Sequence, residues 1–376
     1  MNDSETDKMR SLFLKYYSRV ENLYVNELNM REIGYIPFKG SMIRHQRVDP
    51  GNSGNGMKIF AIRNVPRHLY NSVAFYKKPD ERIMKEKEWQ GAELIFDLDA
   101  DHIEGSSSMS YEETLDEVKR HTDRLINHFL VGELGISADS MSLFFSGGRG
   151  YHVHVTKEGM LELNSDQRRE ISNLIRGEGL KAKEFTEVAK LGIPSGNGWK
   201  NEIDSLFTDE LRIAIESNEL EDPLLKRIGK HYEDRNNLKL MNKRKILVKN
   251  GPEKYRNLLK DELELLDRVI LNLKNSISCE IDEPVTTDTH RLIRFPNSLH
   301  GKTGFMVKRI NIEDLGKFNP LDESIPEAFM NGEMTVKAKS PFTINLMKRR
   351  YIIEGIVDVP TYVAVYTVLS GKGTLE

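Results

Sequence analysis

Glu93-Leu94-Ile95-Phe96-Asp97-Leu98-Asp99 is the stretch on which the reading of this chain turns. Leu94, Phe96 and Leu98 fall on one face of an extended segment, the period-two pattern of a strand. Asp97 and Asp99 then project from the other face, one pleat apart. Two carboxylates so close raise each other's pKa unless a cation lies between them. That geometry suits hard divalent cations with oxygen ligands, Mg²⁺ or Mn²⁺. A D-x-D pair alone is more often a solvated strand end, so the rest of the chain has to decide.

The segment Ser146-Gly147-Gly148-Arg149-Gly150-Tyr151-His152-Val153-His154 follows apolar Leu143 and Phe145. It reads as two strands, Met141–Phe145 and Tyr151–Val155, joined by a glycine turn. Glycines let backbone N–H groups face an anion, and Arg149 adds a permanently charged planar fork. Without Arg149 this would be an ordinary hairpin with polar-face histidines. With it, phosphate binding is the better reading.

Farther along, Asp282 is followed by His290-Arg291-Leu292-Ile293-Arg294-Phe295-Pro296-Asn297-Ser298-Leu299-His300-Gly301-Lys302-Thr303-Gly304. The Gly301-Lys302-Thr303 end is like the close of a phosphate loop, but that motif needs glycine where Pro296 stands. The cations alternate with Leu292, Ile293, Phe295 and Leu299, which implies buried backbone holding them in place. Three carboxylates for two metals, with Arg149, His152, Arg294 and His300 for a triphosphate, are the parts of two-metal nucleotidyl transfer.

Around these segments the pattern is that of an α/β core. Residues 6–30 carry Met9, Leu12, Phe13, Tyr16, Val20 and Leu23 at helical spacing, and Lys39 to Asn64 reads as strands about the turn Pro50–Gly56. Ser110 and Glu113 form a capping box for a helix with Leu115, Val118, Leu125, Ile126 and Phe129 as its buried stripe. Another helix is expected over Asp166–Ile175. The character changes at Pro194-Ser195-Gly196-Asn197-Gly198. Residues 1–198 are therefore the first part of the core, 199–276 an inserted helical subdomain, 277–345 the second part and 346–376 a C-terminal segment. Strand signals resume at Ile281 and run through Ile310, and the apolar stretch Tyr362–Leu369 has no assigned place.

With 376 residues, 38% hydrophobic and 30% charged, the chain suits a soluble globular protein of two or three domains. A net charge of −3 means that any basic surface is local. Cys279 is the only cysteine, which excludes an intrachain disulfide or a cysteine-cluster metal site. No apolar run reaches the roughly 18 residues of a membrane helix, and the polar start Met1–Glu5 has no signal-peptide design. A cytoplasmic location is expected.

Taken in order, Glu93–Asp99, Phe145–Val153 and Arg291–Gly304 resemble the motifs of the small catalytic subunit of archaeal and eukaryotic-type DNA primases. The resemblance runs over most of residues 5–345. It implies a catalytic core on mixed β-sheets with a helical subdomain, an α+β fold. It implies that Asp97, Asp99 and Asp282 bind catalytic metals. It also implies that Ser146, Arg149, His152, Arg294 and His300 contact the incoming nucleotide, and that Arg44 is a basic group near the site. The activity implied is synthesis of short primers, of RNA with DNA as an open alternative, on single-stranded DNA from nucleoside triphosphates. The partner implied is a large subunit with an iron–sulfur domain, in a heterodimer. Many relatives carry a zinc-binding Cys/His cluster between the first two motifs. Here Asp101-His102-Ile103-Glu104-Gly105-Ser106-Ser107-Ser108 has no cysteine, so structural zinc is not expected and His102 reads as a surface residue. Two other readings compete: a primer-dependent gap-filling or end-joining polymerase of the same superfamily, and a non-catalytic single-strand-binding subunit. The intact acids oppose the last, since unneutralised carboxylates repel a template.

Overall fold

The computed structural model describes residues 1–376 except 52–53, 104, 193–197, 218 and 235. It divides into two units: Met1–Asp123 with Ser137–Arg169 and Ile281–Glu376, and Arg124–Ile136 with Glu170–Glu280.

The strands belong to the first unit. In chain order they are β1 (Ile33–Ile36), β2 (Ile43–Gln46), β3 (His68–Ser72), β4 (Ala74–Tyr76), β5 (Trp89–Ala92), β6 (Leu94–Asp99), β7 (Met141–Phe145), β8 (Gly150–Val155), β9 (Leu292–Arg294) and β10 (Lys308–Ile310). They are followed by β11 (Glu333–Ala338), β12 (Phe342–Leu346), β13 (Arg349–Ile353), β14 (Ile356–Pro360) and β15 (Gly373–Leu375). Two sheets carry the candidate site, in the orders β2-β1-β3-β9 and β10-β7-β8-β6. A third sheet has the order β14-β11-β15, and β4-β5 and β12-β13 are hairpins. Every pairing among these strands is antiparallel. With helices packed around them, the architecture is α+β.

The alternation expected of the opening stretch sets the register. Leu94, Phe96 and Leu98 are buried, each contributing about 1.5–3 kcal/mol by leaving water. Asp97 pairs with His152 and Asp99 with Gly150. The Ser110–Glu113 capping box is present: the Glu113 N–H donates to Ser110 Oγ at 3.2 Å and the Ser110 N–H to Glu113 Oε2 at 2.8 Å. It opens the Tyr111–Arg124 helix.

Three expectations need correction. The first helix is Asp3–Arg19 and stops short of residue 30, ending at its C-cap Val20, whose ψ of 128° takes the backbone out of the helical region. Leu23 and Val25 are buried from an irregular segment instead. Gly56–Asn64, read as strand, is a helix whose buried residues Met57 and Ala61 lie one turn apart. Of the glycine-rich turn before it, Asn52 and Ser53 lie outside the described residues. Ile281–Ile310 is not continuous strand. Asp282 caps a short Glu283–Thr287 helix with Pro284 in its first turn, and only β9 and β10 follow. The unassigned apolar stretch is a Thr361–Leu369 helix with every residue buried.

The second unit is helical. Its helices include Ala182–Ala189, Trp199–Glu216, Pro223–His231, Leu238–Leu247 and Lys260–Ile277. Phe185, Phe207, Tyr255, Leu265 and Leu266 are among its buried residues. Lys254 and Asp204, both buried, pair at 2.6 Å, and the Tyr255 hydroxyl donates to the same carboxylate. The change of character read at Pro194–Gly198 falls, apart from Gly198, outside the described residues. No helix of the described residues is long and apolar enough to cross a membrane.

Candidate active site

Asp97 and Asp99 leave β6 on the face opposite Leu98, as the strand period requires. Asp282, remote in sequence, reaches them through its backbone, whose N–H donates to the Asp97 carbonyl at 2.9 Å. Its carboxylate accepts from the Val285 N–H at 3.3 Å, the N-cap bond of the Glu283–Thr287 helix. The Asp97 side chain is 21% exposed. Burial and the neighbouring charges of Asp99 and Asp282 push its pKa up to about 7, against the pull of Arg294 and Arg291. The ionised state is therefore costly until something positive arrives. Among the described residues, no three His, Cys, Asp or Glu side chains already form a group able to hold an ion.

The turn between β7 and β8 closes over this edge. Ser146 Oγ accepts the N–H groups of Gly148 and Gly150, each at 3.2 Å, which leaves its own proton free to donate. Gly147 has a φ of 79°, and a Cβ there would come within 2.7 Å of the His300 Cβ. The Tyr111 hydroxyl donates to the Gly148 carbonyl at 2.7 Å, and the Thr303 hydroxyl to that of Gly147 at 2.6 Å. Arg149 points toward the acids. Its Nη2 lies 2.6 Å from Asp101 and 3.9 Å from Asp99. His152 Nε2 is 3.5 Å from Asp97 Oδ1. Burial, helped by His154 and Arg294, holds His152 well below its ordinary pKa, so its ring is neutral.

Arg294 lies on β9 with its guanidinium 5.5 Å from the Tyr70 ring centre. Its Nη1 donates to His68 Nδ1 at 2.9 Å. Burial draws its pKa down, while Tyr70, Asp97 and Asp99 raise it. His300 is buried beside the glycine turn and is likewise kept neutral, by burial first and then by Arg294. Thr303 gives its proton to Gly147, so the 3.1 Å contact with His300 Nδ1 is donated by the imidazole. Its Nε2 is then the acceptor side, facing Gly148.

Asp97, Asp99, Asp282, Ser146, Arg149, His152, Arg294 and His300 thus belong to one linked set of contacts and charges. Arg44 does not join it. It lies on β2, three strands or about 14 Å across the sheet from Arg294. There the buried Glu32 carboxylate holds its Nε at 2.9 Å. His102, read as a surface residue, is 42% exposed yet lies 3.5 Å from Asp282 Oδ2. Sequence reasoning missed His68, Asp101 and Thr303. Two of them left a trace, Asp101 as the third acid in Asp97-Leu98-Asp99-Ala100-Asp101 and Thr303 inside the Arg291–Gly304 segment.

Residues 96–312 match the family model of the DNA primase small subunit. The chain is 40% identical to the DNA primase small subunit PriS of Picrophilus torridus over 96% of its length and 95% of that protein. Identity is 36% to the PriS of Thermoplasma volcanium, covering 97% of this chain and 96% of that one. It is 32% to the PriS of Methanosarcina mazei, covering 99% and 97%. With near-complete coverage, and with the acids, glycine turn and cations in one place, the chain belongs to the DNA primase small subunit family and is a primase, a nucleotidyltransferase.

Proposed function

We propose that this primase builds short RNA primers on single-stranded DNA, with Asp97, Asp99 and Asp282 holding two divalent ions and the glycine turn receiving the incoming triphosphate. The observation that carries the reading is the approach of Asp282 to Asp97 beside Asp99: burial first, then the charges of Asp99 and Asp282, push the Asp97 pKa up to about 7. A donor set of carboxylate oxygens alone fits Mg²⁺ or Mn²⁺ rather than softer metals. When bound, such ions lower the pKa of an attacking 3′-hydroxyl and neutralise charge on departing pyrophosphate. Asp97 gives up its proton to bind them.

The remaining roles fall to the chain's own donors. Arg149 leaves Asp101 to meet phosphate oxygens with a two-pronged contact. The Ser146 hydroxyl donates from the floor of the turn. Arg294 supplies a buried charge on the opposite side. His300 offers an acceptor while neutral, and a nearby triphosphate draws a second proton onto Nε2 to make it a donor. Arg44, held by the buried Glu32, is a basic group outside this set. The partner is a large subunit with an iron–sulfur domain, and the complex works inside the cell at replication sites.

The test is incubation of the protein and its partner with unprimed single-stranded DNA, ribonucleotides and Mg²⁺ or Mn²⁺. Short oligomers are expected, and Asp97→Ala should make none. Undiminished product from that variant overturns the metal assignment. Extension of supplied primers without any start on bare template would favour the gap-filling alternative.

A further inference from the structure

Arg294 and Arg149 are held in opposite ways. Arg149 rests on a carboxylate, Asp101, which cancels much of its charge. Arg294 rests on imidazole and phenol rings. His68 and Tyr70 project from the same face of β3, their rings stacked with centres 6.2 Å apart. Tyr70 lies directly across the ladder from Arg294. His68 is 7% exposed, and its Nδ1 accepts from Arg294 Nη1 at 2.9 Å and from the Gly301 N–H at 3.3 Å. Arg67 completes the clamp by donating to the Gly301 carbonyl at 2.9 Å. A Cβ on Gly301 would lie 2.6 Å from both the Arg67 carbonyl oxygen and His68 Nε2, so no larger residue fits.

We propose that His68 is a positioning residue: a neutral acceptor that orients Arg294 and the His300–Gly301 turn toward the nucleotide while leaving the arginine's charge unspent. The inference rests on the reading of Arg294 as a triphosphate contact. Two facts support the neutrality it needs. Accepting at Nδ1 places the only ring proton on Nε2. Burial, reinforced by Arg294, Arg67 and Lys302, lowers the His68 pKa to about 3. A carboxylate in its place would hold Arg294 equally well but would cancel the positive field that an incoming triphosphate meets. A long flexible side chain with no partner would lose the conformational entropy of ordering at each binding event.

Binding of a nonhydrolysable nucleoside triphosphate analogue, with Mn²⁺, tests this on the full chain. His68→Ala should bind about tenfold or more weakly, the scale of one hydrogen bond to a charged group. His68→Asn, which returns an acceptor near the Nδ1 position, should recover most of the loss. His68→Asp should bind more weakly than His68→Asn, although both restore the acceptor, an ordering that a merely structural role does not produce. In the Arg294→Ala background His68→Ala should add little, because the two act through one contact. His68→Ala binding within twofold of wild type, additive losses in the double variant, or equal binding by the Asn and Asp variants each overturns the proposal. Should the alanine variant fail to fold, the Asn and Asp pair decides by itself. Arg294→Ala that binds nucleotide normally refutes the site reading instead, whereas Arg294→Ala weak with His68→Ala normal refutes only the role of His68.

Discussion

The backbone N–H of Asp282 donates to the carbonyl of Asp97 at 2.9 Å, so the third acid is fastened to the first by main chain rather than by side chain. The approach therefore survives replacement of either carboxylate. Asparagine at 282 can also keep the helix cap, being as good an N-cap as aspartate. Asp282→Asn should leave the melting temperature almost unchanged. Primer synthesis should fall on the order of 10²–10³, the scale of losing one group that stabilises transition-state charge. Parallel thermal and activity assays check both halves.

Asp97 couples pH, metal and stability. Its folded pKa of about 7 lies above the ordinary aspartate value of 3.8, so the native state binds a proton more tightly than the unfolded chain. The stability this contributes is complete below the unfolded value and is lost as pH rises through about 7. Metal-free wild type should therefore lose stability relative to Asp97→Asn on going from pH 5 to pH 8, the buried neutral histidines being common to both, and Mg²⁺ or Mn²⁺ should reverse that loss. Asp97→Asn should melt higher than wild type at pH 8 while abolishing synthesis. A variant that melts lower at pH 8 contradicts the charge-crowding account.

Arg149 and Asp101 make opposite predictions. Arg149→Ala should slow synthesis by on the order of 10²–10³. Arg149→Lys should recover only part, because an ammonium cannot make the two-pronged contact. Asp101→Ala frees the guanidinium from an exposed partner worth about 0.2–1 kcal/mol. The KM for nucleotide should then fall, by roughly five-fold at most. Steady-state kinetics on a primed template separates the three.

Gly147 is fixed by shape. Its φ of 79° is unfavourable for alanine, and the new Cβ would press on the His300 Cβ at 2.7 Å. Gly147→Ala should cost about 1–3 kcal/mol in backbone strain and at least tenfold in nucleotide affinity by moving His300. Gly316, where an added Cβ meets nothing within 4 Å, is the control. Gly316→Ala should stay within about 0.5 kcal/mol of wild type.

The site was legible where local pattern and chemistry coincide. Leu94, Phe96 and Leu98 mark the buried face of β6, which sends Asp97 and Asp99 the other way whatever else the chain does. The glycines before Tyr151 announce a turn because only they adopt its backbone cheaply. His68 was invisible because its partners, Arg294 and Gly301, are joined to it only by tertiary pairing of β3 with β9. The partner of Arg44 was equally unreadable, because nothing in the sequence around it points to the buried Glu32 that holds it. Gly56–Asn64 was mistaken for strand because a short apolar run fits either period, and the helix is chosen by burial of Met57 and Ala61.

The first unit is assembled from three stretches separated by the helical one. Its sheets are closed by β9 and β10 from the last third of the chain. During synthesis the helical stretch can collapse on neighbours already at hand, whereas long-range strand pairing waits on distant sequence and is intrinsically slow. Asp97 and Asp99 emerge first but cannot meet Asp282 until the 182 residues between Asp99 and Asp282 have followed. While that stretch is being made the strands of the first unit lack their late partners, and their unpaired edges are the part most in need of chaperoning.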